Sequence, residues 1–211
     1  MNYLELQDEI ILLVDSGTSE IDALVPGLVN DAVFAIANEP GVILPSLKSI
    51  VSVNTVAAQG YTSIPVGYDS KVIYASVGGL EVETYNTIED LLKEGYDFST
   101  EGEIEALAVE GNVLWYANTP ADVTAITMLL YKNPVTLVED TDVPEEIPVH
   151  LHRSLIIPYV AKTMFDMIEQ EDDTTKTQTQ VQELFYEKGL VKLREYLAAR
   201  RRGMSRSIWN I

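Results

Sequence analysis

Cysteine is missing from the 211-residue sequence, which excludes disulfide staples, cysteine-ligated zinc, iron–sulfur clusters and thiol catalysis. Histidine is almost as scarce, at two residues, and basic side chains are few, at 14 against 33 acidic ones, a formal net charge of −19. Long apolar runs are lacking too: a stretch such as Ile10-Ile11-Leu12-Leu13-Val14 is far short of the roughly 20 residues that cross a bilayer, so no membrane partner is expected. The opening Met1-Asn2-Tyr3-Leu4-Glu5 has no basic n-region or small-residue cleavage site, and the expectation is synthesis in the cytoplasm without export by the usual route. There is no Gly-x-Gly-x-x-Gly, no phosphate-binding loop ending in Lys-Ser/Thr and no Gly-x-Ser-x-Gly. An enzyme is not indicated, and no cofactor is expected.

What is present is enough to fold. The sequence is 46% apolar, with 11 Tyr, 4 Phe and 2 Trp, and its length suits one domain or one core carrying an insertion. The charge is uneven. Up to Glu187 there are 32 acidic and 7 basic side chains, a net of −25, whereas Lys188 to Ile211 carry 7 basic and 1 acidic, a net of +6. An acidic body repels phosphate backbones, which opposes sequence-independent DNA binding by its surface.

Residues 3–14 place Tyr3, Leu6, Ile10 and Leu13 on one helical face with Glu5, Asp8 and Glu9 between them, as an amphipathic helix requires. Asp15-Ser16-Gly17-Thr18 breaks it, Ser19 is placed to cap a second helix over 21–37, and Pro26-Gly27 kinks or restarts that helix before Asn38-Glu39-Pro40-Gly41 ends it. From Val42 to Val138 the grammar changes to short β-type runs: 50–54, 61–66, 71–77, 80–85, 106–109, 113–117 and 123–131. Seven such runs predict a small sandwich or barrel, with hairpin turns at Gly78-Gly79 and Glu110-Gly111-Asn112 and a short helix capped by Thr87. A Pro- and acid-rich connector, 139–146, leads into a helix with Pro148 at its start, whose Leu151, Leu155, Ile156, Tyr159, Val160, Phe165 and Ile168 span more than half its circumference. A polar loop over 169–175 and a last helix of about 25 residues with Val181, Leu184, Phe185, Val191, Leu193 and Leu197 follow. The expected fold is α+β: a helical bundle from two N-terminal and two C-terminal helices, an inserted β-sandwich or barrel, and an extended C-terminal tail. The expected divisions are 1–41 and 139–199 for the bundle, 42–138 for the insertion and 200–211 for the tail.

Three patterns bear on function. Leu12-Leu13-Val14-Asp15-Ser16-Gly17-Thr18-Ser19 is similar to the aspartic-protease signature, where two aspartates share a proton; with one copy of the motif the dyad would need a homodimer, and the helical period before Asp15 favours a plain helix terminator. His150 and His152 fall two apart, on nearly opposite sides of a helix, so no shared metal is expected. The tail is different in kind. Arg200, Arg201, Arg202 and Arg206 come with no acid, followed by Ile208, Trp209 and Ile211. Tryptophan and arginine are the usual interface anchors, and these seven residues are the candidate partner-binding set for an acidic or concave partner, nucleic-acid phosphate being the weaker option.

The order of elements resembles that of the head-to-tail connector, or adaptor, proteins of tailed bacteriophages over nearly the full chain. The likeness lies in the two opening helices, Gly111-Asn112-Val113-Leu114-Trp115-Tyr116 leading to Met128-Leu129-Leu130-Tyr131-Lys132-Asn133-Pro134, the segment 143–152, and the closing helix pair with its tail. The resemblance implies a structural virion protein in the neck, assembled in the host cytoplasm: a ring of twelve copies beneath the portal protein that extends the DNA channel, lets DNA pass without specific binding, and offers a platform to a tail or nozzle protein. By position, portal docking would fall on Arg200 to Ile211. The broad apolar arc of the third helix would then serve its own bundle on one side and a neighbouring subunit on the other. The alternatives are a dimeric aspartic protease acting through Asp15, or another tail or baseplate ring component.

Overall fold

Asn2 starts the first helix, α1 (Tyr3–Val14), by a reciprocal cap: its Oδ1 accepts the Glu5 N–H at 2.8 Å and the Glu5 carboxylate accepts the Asn2 N–H at 3.0 Å. This computed structural model describes residues 1–15, 17–171 and 177–206. Asp15 closes α1 in the left-handed conformation, φ 42°. The second helix expected over 21–37 is two helices, a single turn α2 (Ser19–Asp22) and α3 (Val25–Ala37). Thr18 rather than Ser19 holds the cap position, and Pro26 sits in the first turn of α3, where its missing N–H has no carbonyl to serve. Tyr3, Leu6, Ile10 and Val14 of α1 and Val25, Val29, Ala32, Val33 and Ile36 of α3 are buried.

The chain divides into two compact units, one of residues 1–46 with the segment from 134 onward, the other of residues 47–133. The second unit is a β-sandwich. Its strands are β1 (Lys48–Asn54), β2 (Tyr61–Ser63), β3 (Tyr68–Val77), β4 (Leu80–Glu81), β5 (Glu83–Tyr85), β6 (Ala106–Glu110), β7 (Val113–Ala117) and β8 (Ala125–Lys132), in sheets ordered β1-β8-β3-β4 and β2-β7-β6-β5. Val51, Ala75, Ile126, Met128 and Leu130 of the first sheet meet Leu107, Val109, Leu114 and Tyr116 of the second, the period-2 faces that alternation predicts. Lys48 lies opposite Tyr131, so the chain enters and leaves the sandwich on adjacent strands, the least disruptive way to insert a domain.

The run 80–85 is not one strand. Leu80–Glu81 pairs with β3 in the first sheet, Val82 turns inward with its N–H on the Ala75 carbonyl at 3.1 Å, and Glu83–Tyr85 pairs parallel to β6 in the second. Gly78 and Gly79 make the β3–β4 turn with φ of 59° and 85°, both in the region that glycine tolerates. The outer side of the second sheet carries Ala106, Ala108 and Ala117, small enough for Leu91 of α4 (Ile88–Lys93) to pack over them. As expected, α4 is capped by Thr87, whose Oγ1 accepts the Asp90 N–H at 3.1 Å.

After β8 the connector does not hang loose. Asn30 of α3 grips it: its Oδ1 accepts the Leu137 N–H at 2.8 Å and its Nδ2 donates to the Leu137 carbonyl at 3.1 Å. The carbonyls of Asp142 and Asp140 accept the Tyr3 and Leu4 N–H groups at 2.7 and 3.2 Å, satisfying donors that every helix leaves open at its start. A 3-10 turn (Val149–Leu151) leads into α5 (His152–Glu171). Leu155, Ile156, Ile157, Val160, Ala161 and Met164 are buried, and α1, α3 and the following α6 (Thr177–Arg206) all pack on α5. The wide apolar arc is thus occupied by helices of its own chain, which removes the reason for assigning part of it to a neighbouring subunit. The polar loop expected from Glu169 begins later, since α5 continues through Glu171; residues 172–176 lie outside the described residues.

Helices α5 and α6 approach closely at Gly189. Pro158 inside α5 has no N–H for the Ser154 carbonyl, and a Cβ at Gly189 would overlap that same oxygen. Glu169 joins the two helices at the other end: its carboxylate accepts the Gln178 N–H at 2.8 Å and the Thr179 hydroxyl at 2.6 Å, and the Thr179 hydroxyl holds its carboxyl below the ordinary range. Finally, α6 is longer than expected. It runs 30 residues through Arg206, so 200–206 is helical rather than extended. Arginine and methionine are good helix formers, cations favour a helix C-terminus, and Gly203 alone costs only about 1 kcal/mol.

Candidate docking site

The last helix carries the candidate residues. Tyr186, Leu190, Leu193 and Leu197 of α6 are buried, Tyr186 edge-on to Tyr159 with ring centres 5.3 Å apart; burial pushes the Tyr186 phenol up to about 12. Leu197 is the last buried residue described on α6, and Ala198, Ala199 and Arg200 are exposed. Nine further residues of helix, roughly 13 Å at 1.5 Å per residue, continue to Arg206. Arg200, Arg201, Arg202 and Arg206 therefore all lie on the C-terminal end of one helix. Ile208, Trp209 and Ile211 lie outside the described residues. A helix anchored along its first two-thirds and basic at its end can present cations to a partner at a fixed distance from the bundle.

Carboxylates dominate elsewhere. In the sandwich, an open cleft of about 950 Å³ is lined by Glu81, Glu101, Glu103, Glu105 and Asp122 around Leu80, Val82 and Ile104. No histidine or lysine lines it, so its polar lining is acidic throughout. On the connector, Asp142 Oδ2 accepts the Val138 and Glu139 N–H groups at 2.8 and 2.9 Å, which hold its carboxyl below the ordinary range. Among the described residues no group of three or more His, Asp or Glu is arranged to hold a metal ion.

The other sequence candidates have structural duties. Asp15 follows a helix, not the strand an aspartic-protease loop requires, and its N–H closes α1 on the Ile11 carbonyl at 2.9 Å. His152 is fully buried, its Nε2 2.8 Å from the Ile147 carbonyl and 3.2 Å from that of Pro144. Two acceptors at Nε2 place the proton there, and burial pushes the ring's pKa down. The His150 ring stands edge-on to Tyr196 at 5.3 Å.

One feature of α6 was not separated by sequence reasoning. Val181, Leu184, Phe185 and Val191 are exposed, while Leu193 and Leu197 are buried; the apolar residues of this helix form two faces, not one. The signal was the spacing, since 181, 184, 185 and 191 share a face that excludes 186, 190, 193 and 197.

A sequence model of the family described as SU10 adaptor protein matches residues 1–208. No curated protein matches the chain.

Proposed function

The chain belongs to the SU10 adaptor protein family, and on that premise we propose that copies of it close into a ring beneath the portal of a tailed phage. It is a structural phage adaptor and not an enzyme, which removes the protease alternative. In this reading twelve copies, assembled in the host cytoplasm, extend the DNA channel in the virion neck and present a platform to the tail. The segment Arg200 to Ile211, which begins as the basic end of α6, docks into the portal. Channel walls with an excess of carboxylates repel DNA phosphates within about one Debye length, roughly 8 Å at physiological salt, so DNA slides without sticking.

The observation that carries the docking assignment is the basic end of α6. Nine residues of helix continue past Leu197, its last buried side chain among those described, and carry four arginines in a chain whose net charge is −19. The buried residues described on α6 all precede that segment, so folding and docking are read separately when it is removed. Deletion of residues 200–211 is expected to cost only the helical circular-dichroism signal of residues 200–206 and to leave the melting temperature unchanged, while abolishing attachment to the portal. A folded, truncated chain that still joins heads to tails would overturn the assignment.

A further inference from the structure

Helix α6 has two apolar faces, and the described residues of its own chain cover one of them. The uncovered face repeats at i, i+3, i+4, i+7, i+10 and i+11 as Val181, Leu184, Phe185, Lys188, Val191 and Lys192. Leu184, Phe185 and Val191 are 55%, 50% and 52% exposed, and the Lys188 ammonium lies 5.7 Å over the Phe185 ring. Glu195, one turn on, ends the stripe. Large apolar side chains lined up at helical spacing on a water-facing side mark an association surface.

A second unpartnered face lies on α1. Opposite its buried stripe, Leu4, Asp8 and Leu12 follow one another at i, i+4 and i+8 with Glu5 beside them, and Leu12 is 81% exposed. The two faces have the same make-up, apolar anchors interleaved with charge, but the charge of Lys188 and Lys192 on α6 is basic and that of Glu5 and Asp8 on α1 is acidic.

We infer that these faces bind each other between neighbouring copies of the chain, the Lys188/Lys192 face of one copy seating on the Asp8/Leu12 face of the next. Self-pairing of the α6 face would bring four lysines together, and self-pairing of the α1 face would bring its acids together; like charges at a contact oppose both. Pairing of unlike faces joins apolar contact with opposite charge. A contact between two different faces of one chain is heterologous, and repeated through a suitable rotation it closes into a ring. The inference rests on the ring reading above and assigns the surfaces that build it.

Since the chain has no cysteine, introduced thiols are unique. Necks isolated from particles carrying Leu12→Cys together with Val191→Cys are treated with a flexible bismaleimide and read on a denaturing gel beside their native mass. The expected result is a ladder rising by one chain at a time, with neither single variant giving any product. A ring by mass with no ladder, or a dimer from either single variant, overturns the surface assignment and leaves the ring standing. A neck without a ring of this chain overturns both. As a second measurement, Lys188→Glu with Lys192→Glu is expected to lose neck assembly, and Asp8→Lys on the same chain to recover it; loss without recovery counts against the pairing.

Discussion

Gly189 and Pro158 act as a pair. The proline strips the Ser154 carbonyl of its helical donor, and the glycine lets the backbone of α6 lie against that oxygen, a close contact that a Cα–H group can satisfy in part. Gly189→Ala gains up to about 1 kcal/mol in helix propensity, but its methyl group meets a backbone carbonyl that cannot swing aside, and overpacking of this kind costs about 1–3 kcal/mol. The overlap decides the sign: the urea midpoint is expected to fall, with the slope of the transition unchanged, and a midpoint that rose would show that the helices are not in contact there. His152 makes a pH-dependent contribution. Its pKa is lowered in the folded chain by burial, so below the ordinary value of 6.5 the unfolded chain binds a proton that the folded chain refuses. Stability is expected to be level above about pH 7 and to decline as the pH drops through 6.5 toward the lowered folded value. Urea titrations of the wild type and of His152→Gln across that range check it, the variant losing this part of the slope; identical slopes would show that His152 is not the group responsible.

At the scale of elements, what could be read from the sequence was what local rules alone decide. The helix over 3–14, the strand over 113–117, the turns at Gly78-Gly79 and Gly111-Asn112 and the Thr87 cap all follow from period, glycine placement and capping chemistry within a few residues. Elements that answer to distant partners were read less well. The run 80–85 has continuous β character, but which sheet each half joins is decided by Ala75 and Glu105, whose backbones take the Val82 and Glu83 N–H groups. The apolar residues of α6 looked like one stripe because a helix with two apolar faces fills most of its circumference, and only the position of α5 shows which face is spent on the fold. For the candidate site, composition singled out the arginines, while the helical form of 200–206 depended on weighing a single glycine against its neighbours. The outer face of α6 stayed hidden because exposure is a property of the packed bundle.

For the molecule as a whole, the two units divide the work by chemistry. The sandwich has its own apolar core and joins the rest through adjacent strands, so the bundle closes around α5 without depending on its interior. The bundle carries the two unpartnered faces and the basic end of α6, which are the features a ring-forming adaptor needs. The net charge of −19 keeps copies apart except where opposite charge and apolar surface coincide, and in the proposed ring it also keeps DNA off the channel wall. Cryo-electron microscopy of the intact neck tests this account most directly. The account predicts a closed ring of this chain between portal and tail, with residues 200–211 lodged in the portal. A neck in which those residues fold back onto their own subunit, or in which the chain forms no ring, would contradict it.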